Sequence, residues 1–343
     1  MSEIRYDVLN DTHVIIAPER LHRPDQCGID QETYASENCP FCEGNESMTP
    51  PEIFSLRGKK SFANEPGWQT RVVPNLYRAV QIEVQHQFYR EGLFHKSEGF
   101  GAHEVIIDTP NHHSTMTQWS EEEIANWIKT MRARVSDLRH DHRITFISLF
   151  KNQGTQAGST QPHPHTQLIG LSIIPKADRE CYERTHTHYK TTGKALLESL
   201  LLQEEEEVKR IVAKAGDFTA FCPYASGYPF EVMISSKKAV GQIDTLSDEA
   251  ILSLSSLLLD VLKKMERQLM CFDFNLQITT PPLQHGPLGS ELLHDVEYAC
   301  RFAIRIMPRL YRHGGFEVST GMMINPVAPE MAAKLLRESD DVR

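Results

Sequence analysis

Two imidazoles and one amide stand at alternate positions in the segment Gln161-Pro-His-Pro-His-Thr-Gln167. Side chains of an extended strand alternate between its faces, so His163, His165 and Gln167 share one face at intervals of about 7 Å. Imidazole is a nucleophile and a metal ligand near neutral pH, which makes this face a candidate site. Because proline cannot donate to a sheet ladder, the two prolines predict that the segment lies at a sheet edge or a bulge.

A second chemical signal is the pair Cys39 and Cys42, spaced as Cys-x-x-Cys. In a reducing compartment this spacing is typical of half a zinc site or of a redox pair. No thioredoxin-like strand–helix–strand context surrounds the pair, which favours zinc. The sequence has no second Cys-x-x-Cys, so the remaining ligands of a closed tetrahedral site would be histidines, with His112 and His163 as candidates.

A glycine-containing loop precedes the histidine segment. It follows a β-rich run ending near Phe150 and contains Gly154 and Gly158, where backbone N–H groups can approach an anion closely. Asn152 and Thr160 add side-chain hydrogen-bonding groups. By itself this pattern is only weakly specific for phosphate, since such loops are common.

The overall composition excludes several classes of protein. The 343 residues include 46 Asp and Glu against 36 Lys and Arg, a net charge of −10, which argues against a general nucleic-acid or anionic-membrane binder. A local cationic pocket for a phosphate-bearing small molecule stays compatible with that total. No apolar run approaches the roughly 18 residues of a membrane span, and the first residues lack a signal-peptide pattern. Together with the 7 cysteines, this predicts a protein of the reducing cytoplasm.

Two segments have clear helical periodicity, one after Ser120 and one running from Ser247 to Leu269. A third helix is predicted over about 194–214, with Glu204 to Glu207 facing solvent. His186 and His188 are also predicted to face solvent. Six β-rich runs lie between the helices: His103–Asp108, Ile144–Phe150, Gln167–Ile174, Phe230–Ser235, Phe274–Thr279 and Phe302–Met307. The pattern favours an α+β fold with mainly antiparallel pairing.

The two halves of the chain resemble each other loosely. HEVIIDTPNH, a capped helix and ITFISLFKNQG in the first half correspond to FEVMISSKK, a capped helix and FNLQITTPP in the second. We interpret this as a strand–helix–strand unit used twice, in an N-terminal half of residues 1–175 and a C-terminal half of residues 176–343.

The motifs in their order resemble the galactose-1-phosphate uridylyltransferase branch of the histidine-triad superfamily. The matching motifs are CPFC, GNE, TPPE, VVPNLY, VIIDTPNHH, FxNxGxxxG, PHPHTQ and GGFEVSTGMMINPVAPE at 314–330. The resemblance covers nearly the whole chain. It implies two related half-units forming a mainly antiparallel half-barrel sheet flanked by helices, a homodimer, and nucleotidyl transfer by two displacements through a histidine.

The resemblance also implies roles for individual residues. His165 matches the nucleophile, and Gln167 matches the amide that holds the transferred phosphoryl group. The implied ligands of a structural Zn²⁺ are Cys39, Cys42, His112 and His163. The implied nucleotide and phosphate contacts are Arg20, Arg23, Asn75, Asn152, Gly158 and Thr160. The implied residues on the acceptor side are Phe316 and Val318, and Arg301, which departs from the family pattern, is a further acceptor-side candidate.

One strand departs from the family pattern. Relatives carry a second His-x-His before the PRL motif, but this chain has Arg301 and Ala303 there, so the second metal site of some members is predicted to be absent. His285 and Glu180 match its other ligands. Because Arg301 and Arg305 share a strand face, they could present cations to a small oxyanion, or they could form salt bridges; both alternatives are open.

Three functions are compatible with these residues. The narrowest is a hexose-1-phosphate uridylyltransferase. Almost equally supported is an adenylyltransferase that uses phosphate as acceptor, acting on ADP-glucose or adenylylsulfate. The third is a zinc-containing nucleotide-binding protein without turnover. A covalent adduct on His165 would separate the enzymes from the binding protein.

Overall fold

The computed structural model describes residues 2–22, 38–238, 240–283 and 295–339. Its helices are α1 (Glu121–Leu138), α2 (Lys176–Thr192), α3 (Leu196–Glu207), α4 (Asp248–Leu269), α5 (Val296–Ala299), α6 (Gly315–Thr320) and α7 (Pro329–Glu338). Its strands are β1 (Glu3–Asp7), β2 (Thr12–Ile16), β3 (Phe54–Arg57), β4 (Trp68–Pro74), β5 (Phe88–Glu91), β6 (Phe94–Ser97), β7 (Gly101–Ile107), β8 (Phe146–Gln153), β9 (His165–Leu171), β10 (Ile211–Ala215), β11 (Phe218–Phe221), β12 (Val232–Ser236), β13 (Phe274–Ile278), β14 (Ala303–Pro308) and β15 (Met323–Asn325). The predicted α+β fold is confirmed. Within the described ranges, no helix has the length and apolar character needed to cross a bilayer.

The main sheet has ten strands in the order β10-β11-β12-β14-β13-β8-β9-β7-β4-β3. All of its neighbouring strands run antiparallel, which confirms the predicted pairing. A separate three-stranded sheet contains β1, β2 and β15, and β5 pairs with β6 in a two-stranded sheet.

The arrangement of strands repeats within the main sheet. β7, α1, β8 and β9 follow one another along the chain and lie in the order β8-β9-β7. β12, α4, β13 and β14 likewise lie in the order β13-β14-β12, with α5 between the last two in sequence. The two groups join where β8 pairs with β13. The division of the chain at residue 175 stays a prediction.

Helices α1 and α4 cover one face of this sheet and form the main core with it. Both begin at predicted caps: the Ser120 hydroxyl accepts from the Glu123 N–H, and the Ser247 hydroxyl accepts from the Ala250 N–H. The indole N–H of buried Trp127 donates to Thr166 Oγ1 at 2.8 Å. Since Thr166 points to the helices, the side chains before and after it on β9 point to the opposite face.

The histidine segment is not at a sheet edge, so that prediction is wrong. β9 lies between β8 and β7, inside the sheet. The two prolines precede its first residue, His165, and therefore remove no hydrogen bond from its ladders.

The third predicted helix is shorter than expected. α3 ends at Glu207, where Val208 adopts a positive φ of 60°, and residues from Ile211 continue as strand β10. Glu204 is not solvent-facing; it is buried and ion-paired with Arg210. The apolar side chains of β10 pack partly into the core, and that tertiary packing overrides the local helical pattern.

Helix α2 was missed by the sequence periodicity, and it carries the second pair of histidines. His186 Nε2 lies 3.3 Å from Asp295 Oδ2, and His188 Nε2 lies 2.9 Å from Ser199 Oγ. Both rings are half-buried between helices and are therefore not fully solvated as predicted.

A buried ion pair beneath β9 gives a first testable prediction. Lys151 Nζ lies 2.8 Å from Asp108 Oδ2, with side-chain exposures of 1% and 0%, and it also donates to the His165 carbonyl at 3.3 Å. Replacing Lys151 with alanine leaves Asp108 buried and unpaired, so we expect a loss of about 3–5 kcal/mol in the free energy of unfolding. Urea denaturation measures this loss. The matched variant Lys176→Ala, at an exposed pair with Glu180, should lose less than about 1 kcal/mol; equal losses in the two variants would contradict the prediction.

Candidate active site

The face of the main sheet that points away from α1 and α4 carries the predicted catalytic side chains. On β9, Thr166 and Leu168 are buried against the helices, whereas Gln167 and Ile169 on the other face are only half-buried. The same alternation continues on β8 and β13, where Gln277 is exposed. At the centre of the sheet this face is therefore less covered than the face that packs against the helices.

His165 begins β9 on this face. The residue is 7% exposed, and its Nδ1–H donates to the His163 carbonyl at 2.9 Å. Burial lowers the pKa of His165, and the nearby ammonium of Lys151 lowers it further. With Nδ1 occupied as a donor, a neutral ring carries its lone pair on Nε2, and that nitrogen can act as a nucleophile.

Gln167 is connected to a residue that the sequence analysis missed. The Gln167 Oε1 atom lies 3.1 Å from Nε2 of His103, which also lies 3.1 Å from Nδ2 of Asn75. The structure thus brings together Gln167 and Asn75, two predicted site residues, around one buried imidazole. The only available signal was that His103 opens a β-rich run, and the sequence does not reveal which strand lies beside it.

The predicted phosphate loop is held by the start of β13. The Asp273 carboxylate accepts a hydrogen bond from the Gln156 N–H at 2.7 Å, and the Asn275 amide donates to Asn152 Oδ1 and to the Ala157 carbonyl, both at 2.8 Å. Gly154 has φ +85°, and a Cβ atom there would lie 1.9 Å from Asp273 Oδ1. Only glycine fits this close approach. Burial raises the pKa of Asp273.

This loop borders a cavity of about 310 Å³, which Asn152 and Thr160 line. Gly158 ends the short helical turn before Thr160 with a left-handed φ of +86°. The predicted phosphate contacts therefore lie together at the carboxyl end of β8, next to the segment that leads into His165.

Four side chains form a group that could hold a metal ion: Cys39, Cys42, His112 and His163. Their ligand atoms all lie within 4.8 Å of one another. The Cys42 Sγ atom lies 3.2 Å from Nδ1 of His112 and 3.6 Å from Nδ1 of His163. Ligand atoms around tetrahedral zinc are separated by about 3.3–3.8 Å, so the spacing fits.

The hydrogen bonding of this group also fits a metal. The Nε2–H of His163 donates to the Thr109 carbonyl at 2.8 Å, which leaves its Nδ1 lone pair directed at the group. Burial lowers the pKa of His163 to about 4 and raises the pKa of the Cys42 thiol to about 11. A bound divalent cation would stabilise the thiolate against this desolvation.

Within the described residues, the other predicted contacts do not line the cavity that Asn152 and Thr160 border. Arg20 and Phe316 border a separate cavity of about 650 Å³, beside Arg312 and His313. Val318 is exposed on α6. Arg23 and His285 lie outside the described residues, and Glu180 pairs with Lys176 on the surface of α2.

Arg301 and Arg305 both form ion pairs, in keeping with the salt-bridge alternative that the sequence left open. Arg301 is buried, pairs with Glu198, and donates to the Tyr298 and Cys300 carbonyls at 2.9 Å. Arg305 pairs with the buried Glu231. The charge of each guanidinium is thus matched by a carboxylate of the chain itself.

Comparisons with known proteins agree with the family resemblance of the motifs. Residues 1–175 match the family model described as galactose-1-phosphate uridyl transferase, N-terminal domain. An ADP-glucose phosphorylase of Arabidopsis thaliana is 30% identical over 98% of this chain and 92% of its own. A galactose-1-phosphate uridylyltransferase of Thermotoga maritima is 26% identical over 99% of both chains.

The fold agrees as well. The crystal structure of an ADP-glucose phosphorylase from Arabidopsis thaliana with bound ADP-glucose superposes with a TM-score of 0.82, at 30% identity, over 98% of this chain and 99% of that one. The resemblance stated from the motifs is confirmed. The chain belongs to the galactose-1-phosphate uridyl transferase family and is an enzyme of the nucleotidyltransferase class.

Proposed function

We propose that the chain transfers a nucleoside monophosphate from a nucleotide-sugar donor to a phosphate-bearing acceptor through a covalent adduct on His165. The supporting observation is the hydrogen bond from His165 Nδ1 to the His163 carbonyl, which leaves the lone pair of a neutral ring on Nε2. Gln167, two residues later on the same face, can hydrogen-bond the transferred phosphoryl group.

The reaction has two displacements. In the first, Nε2 attacks the α-phosphorus, a P–N bond forms, and the P–O bond to the sugar phosphate breaks. In the second, an acceptor phosphate oxygen attacks the same phosphorus and the P–N bond breaks, which regenerates neutral His165.

We propose ADP-glucose as donor and inorganic phosphate as acceptor, with ADP and glucose 1-phosphate as products. The support is the near full-length similarity to the Arabidopsis ADP-glucose phosphorylase at 30% identity. The second candidate is hexose-1-phosphate uridylyltransferase, the narrowest function predicted from the sequence, which is supported by the Thermotoga relative at 26% identity.

We propose Zn²⁺ as the metal held by Cys39, Cys42, His112 and His163. Four protein ligands make a closed tetrahedral site, which is typical of structural zinc. When bound, the ion would have no open coordination position. It would hold the His163 side chain in place and, because His163 lies two residues before His165, also the start of β9.

We also propose a cytoplasmic homodimer, which the family resemblance implies. Arg20 and Phe316 line one cavity while Asn152 and Thr160 line another, so residues assigned to a common substrate complex are separated within one chain. A second copy of the chain could supply the substrate contacts that each cavity lacks. Light scattering that gives the mass of a single chain at working concentrations would contradict the dimer.

Intact-mass spectrometry tests the proposed reaction. The chain is incubated with ADP-glucose or with UDP-glucose, without acceptor, and its mass is measured. An AMP adduct that phosphate then removes supports the phosphorylase, and a UMP adduct supports the uridylyltransferase. The absence of an adduct with either donor would contradict nucleotidyl transfer through His165.

A further inference from the structure

We propose that His103 is a positioning residue that fixes which end of the Gln167 amide faces the transferred phosphoryl group. The inference rests on the proposed function, because Gln167 is taken to hydrogen-bond the phosphoryl oxygens. His103 itself touches no reacting atom in this proposal and acts only through Gln167.

The sheet register places the two side chains together. On the β7–β9 ladder, His103 lies opposite Ile169 and Val105 lies opposite Gln167. His103 and Gln167 are therefore diagonal neighbours on the face that points away from α1 and α4, within reach of each other's polar atoms. The observed distance of 3.1 Å from His103 Nε2 to Gln167 Oε1 agrees with this placement.

The backbone fixes the tautomer of His103. The Ala79 N–H lies 3.0 Å from Nδ1 of His103 and can only donate, so Nδ1 must accept. In a neutral ring the hydrogen is then on Nε2, and Nε2 is a donor.

The same reasoning fixes the orientation of Gln167. The Nε2–H of His103 needs an acceptor. Asn75 Nδ2 cannot serve, because the Asn75 amide is itself oriented by the Tyr77 N–H, which donates to Asn75 Oδ1 at 2.8 Å. The acceptor is therefore Gln167 Oε1, and the Gln167 NH₂ group points away from His103. Within the described ranges, that NH₂ group has no hydrogen-bond partner of its own.

This orientation matters for catalysis because the two ends of an amide have opposite polarity. An NH₂ group stabilises negative charge on phosphoryl oxygens, whereas a carbonyl oxygen in the same place repels it. Without His103, Gln167 could rotate and spend part of its time in the repelling orientation. The hydrogen bonds from Ala79 to His103 and from His103 to Gln167 thus fix the orientation of the Gln167 NH₂ group before the substrate binds.

A double-mutant cycle tests the proposal, with the single-turnover rate of adduct formation from ADP-glucose or UDP-glucose as readout. We expect His103→Leu to slow adduct formation by about 10- to 100-fold while donor affinity changes by less than about threefold. His103→Gln retains an N–H donor near the position of Nε2 and should recover most of the rate. His95→Leu, on the exposed β6, is the matched control and should be unchanged.

The decisive comparison uses Gln167→Ala. If His103 acts through Gln167, adding His103→Leu to Gln167→Ala causes no further loss beyond about threefold. Multiplicative losses in the double variant would overturn the positioning role while leaving the proposed function intact. A wild-type chain that forms no adduct would instead refute the proposed function, and the positioning role with it.

A second readout does not depend on activity. In ¹⁵N-labelled protein, we expect the ring of His103 to be protonated on Nε2 and not on Nδ1, and we expect this state to persist in Gln167→Ala because Ala79 fixes it. A ring protonated on Nδ1 would overturn the proposal.

Discussion

Replacing His165 with alanine is expected to lower kcat by about four orders of magnitude or more, and to abolish the covalent adduct. No other imidazole on the described part of β9 could replace it, since His165 is the only histidine within that strand. Losses of this order are typical when an enzyme loses the nucleophile of a double displacement. Steady-state kinetics and intact-mass spectrometry with the same donor measure the two effects.

The matched control for this variant is His140→Ala, because His140 is exposed beyond the end of α1. It should keep full activity, and both variants should keep the circular dichroism spectrum of the wild type. If folded His165→Ala retained more than about a tenth of the wild-type kcat, the nucleophile would have to lie elsewhere.

Replacing Cys42 with serine is expected to remove bound zinc and to lower the thermal midpoint by roughly 10 °C or more. The other three ligands would then form an open and weaker site around partly buried polar groups. A loss of about 7 kcal/mol, which lies within the binding free energy of a structural zinc ion, corresponds to roughly 10 °C in a chain of this size. Activity should fall too, because His163, two residues before His165, loses its anchor. Elemental analysis, calorimetry and kinetics measure these effects.

Cys271→Ser is the thiol control, since Cys271 is exposed and lies outside the ligand group. It should keep its zinc and change the thermal midpoint by no more than about 1 °C. A zinc-free Cys42→Ser chain with the thermal midpoint of the wild type would contradict a structural role for the metal.

The local features of the site could be predicted from the sequence because they depend on short-range periodicity. The alternation from His163 to Gln167 is a property of any extended segment, and the caps at Ser120 and Ser247 need only a few neighbouring residues. The Cys-x-x-Cys pair likewise indicated a metal site. The structure brings Cys39 and Cys42 together with two histidines that lie far along the chain.

Features that depend on strand order could not be predicted in this way. The contact of His103 with Gln167 needs the β7–β9 register, and the contact of Asp273 with the loop at Gly154 needs β13 beside β8. The prolines before His165 suggested a sheet edge because the sequence does not show at which residue the hydrogen bonding of the sheet begins. Glu204 was misplaced for a related reason, since its partner Arg210 follows a turn that interrupts the helix.

The pairing of β8 with β13 also determines how the molecule should unfold. Five residue pairs join these strands, and buried side chains of α1 and α4 belong to one hydrophobic core. β8 leads into the loop at Gly154, while Asp273, just before β13, and Asn275, within β13, supply the side chains that hold this loop. We therefore expect the strands on the two sides of the β8–β13 pairing to lose their structure together, in one cooperative transition. A destabilising change far from His165 would then reduce activity by lowering the folded population, with kcat per folded molecule unchanged.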